Sequence, residues 1–271
     1  MSARGLAQAT ADRYAKFKEV EAVALSGSRN TQQDDVFSDI DLYVYTSALL
    51  PLEQRAQLTA DSPRAEVGNN FWEPGDEWID PATGISLDVM FRDQRWIEDQ
   101  LDRVLVHHAA SVGYSTCFWY NVLHSEALFD RAGWFQVLQT RARVSYPPEL
   151  KSAILAKNFP ILRSNMSSYI HQIDLAIARK DPVSLNHRVA ALLASYFDIL
   201  FAVNEMPNPG EKRLVQYVEA NCSKQPKGMR QDVESLLRSL SRTDTTSVAA
   251  ASSLVASLEA LLRAEKVLPS Q

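Results

Sequence analysis

The residues best suited to chemistry are Asp39 and Asp41. They lie in a stretch that runs Leu25-Ser26-Gly27-Ser28-Arg29, then a polar connector, then Asp39-Ile40-Asp41-Leu42-Tyr43-Val44-Tyr45. Successive side chains of a strand point to opposite faces, so Asp39, Asp41, Tyr43 and Tyr45 share one face while Ile40, Leu42 and Val44 take the other, which is fit for burial. Two carboxylates held that way repel each other unless a cation sits between them. An all-oxygen pair on a rigid strand suits magnesium, which takes one or two carboxylates and completes its shell with water and phosphate oxygens. The apolar run Val23-Ala24-Leu25 delivers the chain to Gly27-Ser28. Glycine there lets the backbone come close to a ligand, and a helix starting in the connector would turn its free N–H groups toward an anion. Arg29 follows directly, where it either reaches a triphosphate or is solvated.

Gly27-Ser28 followed by Asp39-x-Asp41 resembles the signature of the DNA polymerase beta type nucleotidyltransferase superfamily. It is most similar to the small bacterial members that adenylylate antibiotics such as aminoglycosides and lincosamides. The resemblance covers mainly residues 20–135. It implies a third carboxylate on a neighbouring strand, and Asp88 fits, in Gly84-Ile85-Ser86-Leu87-Asp88-Val89-Met90-Phe91. There Ser86, Asp88 and Met90 share one face, and Ile85, Leu87, Val89 and Phe91 the other.

The same resemblance implies roles. Asp39, Asp41 and Asp88 form the catalytic and metal-binding set, with two magnesium ions as cofactors and ATP as co-substrate. One ion bridges the triphosphate and the other lowers the pKa of the acceptor hydroxyl. Asp88 completes the shell of the second ion or accepts the hydroxyl proton, and Gly27, Ser28 and Arg29 bind the nucleotide. The implied reaction moves a nucleoside monophosphate, AMP from ATP, to a hydroxyl of a small molecule or protein and releases pyrophosphate. Asp34 and Asp35, in the connector, lie outside the set. Residues 127–135 are similar to the strand, turn and helix start that such enzymes place at the end of the catalytic domain, which makes Asp130 a turn residue first.

Other readings compete. A non-catalytic nucleotide- or partner-binding module, antitoxin-like, could use the same fold as a scaffold. A metal-dependent glycosyltransferase could use Asp39-x-Asp41, but needs a longer nucleotide-binding region than the first 38 residues supply. The plainest alternative is a pair of solvent-facing strands with acidic outer faces.

The elements that must position these residues can be read in order. Leu6, Ala9, Tyr14, Phe17 and Val20 predict an amphipathic helix before the first strand. Pro51 starts a short helix to Leu58. Residues 64–72 and 77–79 read as strands, and Asp80-Pro81-Ala82-Thr83-Gly84 makes a hairpin that pairs the Trp78 strand with the Asp88 strand. A helical stripe over 93–108 and an aromatic-rich segment over 114–123 follow. Tyr146-Pro147-Pro148 marks a boundary, because prolines end a helix and favour an extended link. Everything after it reads as helix: 149–179 with a kink at Pro160, 183–203 after the Asp181-Pro182 start, then 212–221, 231–240 and 247–266.

The expected fold class is α+β. An N-terminal nucleotidyltransferase domain (1–146) has a mixed sheet with flanking helices, and a C-terminal all-α bundle occupies 147–271. Within the bundle, Ser184, His187, Arg188, Ser195 and Asp198 lie in one broad stripe. They either face a cleft or form an internal network around Arg188. Lys212 and Arg213 at a helix start are phosphate contacts or a solvated turn. His107-His108 reads as a helix end.

Composition bounds the partners. The 271 residues are 46% hydrophobic and 23% charged, an ordinary globular balance with room for two domains. A net charge of −5 gives no overall basic field, which argues against a nucleic-acid partner. Cys117 and Cys222 make neither metal spacing nor a disulfide framework, and with no export signal this suggests the cytoplasm. No apolar run reads as membrane-spanning, so no membrane is expected. Oligomeric state is left open, and the expected partners are a nucleoside triphosphate and a hydroxyl-bearing acceptor.

Overall fold

The computed structural model describes residues 1–26 and 39–268. The chain divides into two compact units, Met1–Asp102 with Phe118–Val144, and Arg103–Cys117 with Ser145–Gln271. Residues 103–117 thus belong with the helical unit although they precede the Tyr146-Pro147-Pro148 link. The whole is α+β, a mixed sheet with helices and a helical remainder.

In the first unit, helix α1 (Ala3–Tyr14) leads to strand β1 (Val20–Ser26). The helix stops earlier than its apolar spacing predicts, and Phe17 lies in the turn that follows, its N–H donating to the Tyr14 carbonyl. Strand β2 (Ile40–Thr46) and helix α2 (Leu52–Leu58) come next, then strands β3 (Ala65–Asn69), β4 (Gly75–Ile79) and β5 (Ser86–Asp93). Helices α3 (Gln94–Leu105) and α4 (Cys117–His124), strand β6 (Glu126–Asp130) and helix α5 (Trp134–Ala142) complete it, with α3 and α4 each crossing the division between units. The sheet order is β3-β4-β5-β2-β1-β6. Only the β2–β5 pair is parallel; all the others are antiparallel.

The apolar faces of β2 and β5 do what their period predicts. Ile40, Leu42, Val44, Leu87 and Val89 are fully buried, in one cluster with Leu6, Ala7, Ala11 and Tyr14 of α1. This layer also holds a charge. Asp76 of β4 is buried beside Arg55 of α2, whose guanidinium donates to both carboxylate oxygens at 2.5 and 2.9 Å and lies 4.1 Å from the Phe91 ring centre. The Gly68 N–H donates to the same carboxylate at 2.8 Å.

The hairpin that brings in β5 is set by its turn. Asp80 accepts from the Thr83 N–H and hydroxyl at 2.8 and 2.7 Å, and Gly84 takes φ of +70°, a conformation glycine adopts without a Cβ penalty. At the other edge Asp130 accepts from the N–H groups of Phe135 and Gln136, both at 2.9 Å, and so caps the start of α5.

The second unit is helical: α6 (Pro148–Arg163), α7 (Tyr169–Ala178), α8 (Pro182–Val203), α9 (Leu214–Asn221), α10 (Met229–Ser239) and α11 (Thr245–Ala264). Pro160 does not interrupt the first of these. Helix α6 runs on to Arg163, and Ser168, accepting from the His171 N–H, starts α7 afresh. Helix α8 is buried at every position from Ser195 to Val203. Helix α11, at 20 residues, is long and apolar enough by length and composition to cross a membrane, which corrects the reading that no apolar run is of that kind. Its buried residues, Ser247, Ala251, Leu254, Val255, Leu258 and Leu262, recur every three or four positions, as on a helix packed along one face.

Removing one partner of the buried Arg55–Asp76 pair leaves the other charge without its counter-ion. Asp76→Ala is expected to cost about 3–5 kcal/mol. Urea unfolding should show a lower midpoint; a loss under about 1 kcal/mol would mean that the pair is not structural.

Candidate functional site

The register of the sheet decides which polar residues meet. In the parallel pair, Asp41 lies directly beside Asp88. Ser26 of β1 is opposite Asp41, and Glu77 of β4 is opposite Asp88. Glu66 of β3 is in turn opposite Glu77. Residues paired this way in a sheet point to the same face. The result is one transverse row, Glu66, Glu77, Asp88, Asp41 and Ser26, with Asp39 entering β2 just before it.

Along the strands the same face changes character. Two residues on from the row, Tyr43 is 8% exposed, and two further on Tyr45 is fully buried. Strand period alone assigns Tyr43 and Tyr45 to the acidic face without covering them; helices do that. Tyr45 packs on Trp134 and Phe135 at ring-centre distances of 5.4 and 5.2 Å. Arg92, beside Tyr45 in the register, lies 3.6 Å from the Tyr43 ring centre and 5.3 Å from that of Phe118. Glu73 holds its guanidinium with two bonds of 2.8 and 2.9 Å. Among the described residues, the acidic row therefore sits at the more exposed end of a face whose other end is largely covered by aromatic rings and a buried cation.

The electrostatics of the row follow from this placement. Burial pushes the Asp88 carboxyl up to about 6, and the charges of Asp41, Glu77, Asp39 and Glu73 push it the same way. A carboxylate raised chiefly by burial and by like charges is one whose ionised form lacks a counter-charge. Among the described residues no three His, Cys, Asp or Glu side chains are gathered tightly enough to hold an ion. What the row supplies is oxygen-donor chemistry on adjacent strands, which suits a hard divalent cation that keeps several ligands from water or phosphate.

Of the residues singled out by sequence, Asp41 and Asp88 are brought side by side and Asp39 precedes them. Gly27, Ser28 and Arg29, with Asp34 and Asp35, lie outside the described residues. Glu77 was missed. Its signal was available, since a hairpin that closes on residues 80–85 and pairs Ile79 with Ser86 must set Glu77 opposite Asp88.

The helical candidates separate. His187 and Arg188 are exposed, so the network expected around Arg188 does not form. Asp198 does have a network, built from other residues. It accepts from the Ser115 N–H at 2.9 Å, the Ser115 hydroxyl at 2.6 Å and the Asn208 amide at 3.2 Å. Burial raises its pKa while those bonds oppose the rise. Ser195 is buried, Ser184 donates its backbone N–H to Asp181, the cap of α8, and Lys212 and Arg213 are exposed ahead of α9.

No family model matches the chain, and no curated protein does. Among solved structures it is similar to the nucleotidyltransferase-like protein from Exiguobacterium sibiricum 255-15, at 14% identity and a TM-score of 0.44, over 96% of this chain and 76% of that one. It is also similar to the Thermotoga maritima CCA-adding enzyme complexed with tRNA, at 11% identity and a TM-score of 0.30, over 100% of this chain and 85% of that one. Likeness at that level does not bear on the chemistry of the row.

Because the fold raises the Asp88 pKa, the folded state holds this proton to higher pH than the unfolded chain does. The stability it contributes is full below about pH 4 and is lost as pH rises through about 6. Asp88 is only partly buried, so after discounting for solvent the effect is about 1 kcal/mol. In chelator, Asp88→Asn should be more stable than the parent at pH 7 by that amount and flatter between pH 4 and 6. Parallel pH profiles of melting temperature would sink the assignment.

Proposed function

We propose that the acidic row is the metal and catalytic centre of a nucleotidyltransferase that moves a nucleoside monophosphate, AMP from ATP, to a hydroxyl acceptor with release of pyrophosphate. The observation that carries this reading is the parallel register of Asp41 beside Asp88 at the open end of the sheet. It sets an in-strand pair, Asp39 and Asp41, next to a third carboxylate from a separate strand, the oxygen donors that metal-assisted phosphoryl-type transfer calls for, though not drawn together around an ion here. The raised proton affinity of Asp88 supports it, since a carboxylate surrounded by like charges favours a cation.

In this reading Asp39, Asp41 and Asp88 would hold magnesium, which would supply charge neutralisation at the triphosphate and lower the pKa of the acceptor hydroxyl. Asp88, on the side of the row away from β1, faces the acceptor and takes the hydroxyl proton or helps orient the nucleophile. Ser26, opposite Asp41, is the last described residue of β1. Gly27, Ser28 and Arg29 follow it in the sequence and lie outside the described residues; we assign them the β- and γ-phosphates. The acceptor is a hydroxyl-bearing small molecule or protein, and the acidic face disfavours a polyanion such as nucleic acid.

Two outcomes test the reading. Titration calorimetry should show ATP binding that depends strongly on magnesium, because three carboxylates repel a triphosphate when no cation is present; tight binding in excess chelator would contradict the metal role. Asp88→Asn should keep ATP binding but lower pyrophosphate release, measured with a panel of hydroxyl acceptors, by roughly 10²-fold or more. Equal release by parent and variant would remove Asp88 from the chemistry.

A further inference from the structure

A triphosphate seated at Asp41 brings its sugar with it. The sugar is joined to the α-phosphate through O5′ and C5′, so its hydroxyls lie five or six bonds from phosphorus, a reach comparable to one two-residue strand step of roughly 6.6 Å. The side chains that border Asp41 on its face are few. Asp39 and Asp88 are committed to the cation, and Ser26 leads into the phosphate segment. The diagonal neighbours, Ala24 and Met90, are apolar: the register pairs both with Tyr43. The neutral hydrogen-bonding side chains left on the described part of this face are Ser86, on the Asp39 side of the row, and Tyr43, on the side where helices cover the sheet.

Tyr43 does not stand alone. Its ring is fixed beneath the Arg92 guanidinium, and its hydroxyl lies 3.4 Å from both the Oδ1 and the Nδ2 of Asn121 on α4. A hydroxyl equally far from both ends of an amide, at a distance well beyond the usual optimum, makes a poor bond with either. Asn121 is half-buried and can both donate and accept, as can the tyrosine hydroxyl. The pair therefore keeps unspent hydrogen-bonding capacity at the border between the covered and open parts of the face. Alternating donors and acceptors of this kind match a sugar hydroxyl, which also does both.

Resting on the nucleotidyl-transfer reading, we infer that Asn121 and the Tyr43 hydroxyl hold a ribose hydroxyl of the nucleotide, and so select ribonucleotides over deoxyribonucleotides. Tyr43 and Asn121 position the substrate; neither touches the reacting bond.

The test is titration calorimetry of the magnesium complexes of ATP, 2′-deoxy-ATP and 3′-deoxy-ATP with the parent, Asn121→Ala and Tyr43→Phe, each checked for fold by circular dichroism. One lost neutral hydrogen bond corresponds to about a three- to tenfold change in affinity. The parent is expected to bind one of the deoxy analogues that much more weakly than ATP. Asn121→Ala should bind ATP more weakly by a similar factor and lose the discrimination, and Tyr43→Phe, which keeps the ring under Arg92, should do the same to a lesser degree. If the parent discriminates and both variants discriminate equally well, or if the parent does not discriminate at all, the inference is overturned while nucleotide binding stands. If the parent binds none of the four common ribonucleoside triphosphates with magnesium, the nucleotidyl-transfer reading falls and the inference falls with it.

Discussion

The parallel pairing of β2 with β5 is the constraint on which the first unit depends. It forces Asp41 and Asp88 together on one face, where burial and like charge together cost about 1 kcal/mol once screened by solvent. The opposite face supplies the compensation. Ile40, Leu42, Val44, Leu87 and Val89 are completely buried there, and each such side chain contributes about 1.5–3 kcal/mol. Apolar burial outweighs the repulsion, so the strands can hold an unfavourable arrangement of charge without coming apart. The connection helps: the chain leaves β2, builds α2, β3 and β4 on the far side, and returns with β5 between β4 and β2. Strand β5 is thus flanked on both edges, which leaves little freedom for it to slide away from Asp41.

Two carboxylates among the described residues have pKa values pushed up by burial, and they differ in what surrounds them. Asp198 receives two bonds from Ser115 and one from Asn208, which oppose the cost of burying it. Around Asp88 the described charges that bear on it, Asp41, Glu77, Asp39 and Glu73, are acidic, and they add to that cost. The first pattern belongs to a structural network that ties the irregular segment 109–117 to α8, together with Asn158, whose side chain accepts from Gly113 and donates to the Ser111 carbonyl. The second is electrostatic frustration that a cation would relieve. Burial by itself does not mark a site; the sign of the surrounding charges does.

Much of the first unit was legible because strand and hairpin rules are local. The alternation around Asp41 and Asp88, the turn at Asp80–Gly84 and the helix start at Pro51 all follow from nearest neighbours in the chain. What was not legible is what covers a face. Tyr43 and Tyr45 have the same period as Asp41, and only distant residues, Arg92 over Tyr43 and Trp134 and Phe135 against Tyr45, decide that the first is largely covered and the second sealed. The partners of Asp198 were hidden for a similar reason: Ser115 is 83 residues distant. The stripe on α8 located the buried Asp198 but wrongly joined it to Arg188, because helical periodicity does not say where along a helix burial begins. Pro160 misled in the opposite way. Proline removes one hydrogen-bond donor, and within the last turn of α6 that loss is small beside the capping preference of Ser168.

The hairpin between β4 and β5 has a further consequence, for how this chain can change over evolutionary time. Paired residue numbers across it add to a constant, so the length of the turn fixes the parity of every position on β5 relative to β4. Gaining or losing a single residue there, if absorbed into the pairing, would exchange Asp88 with Leu87 or Val89, burying a charge and exposing an aliphatic side chain in one event. Most surface loops tolerate drift in length one residue at a time. The Asp80–Gly84 turn can drift only in steps of two or by looping the extra residue out, and lineages that keep the acidic row should carry that parity as a fossil of the constraint.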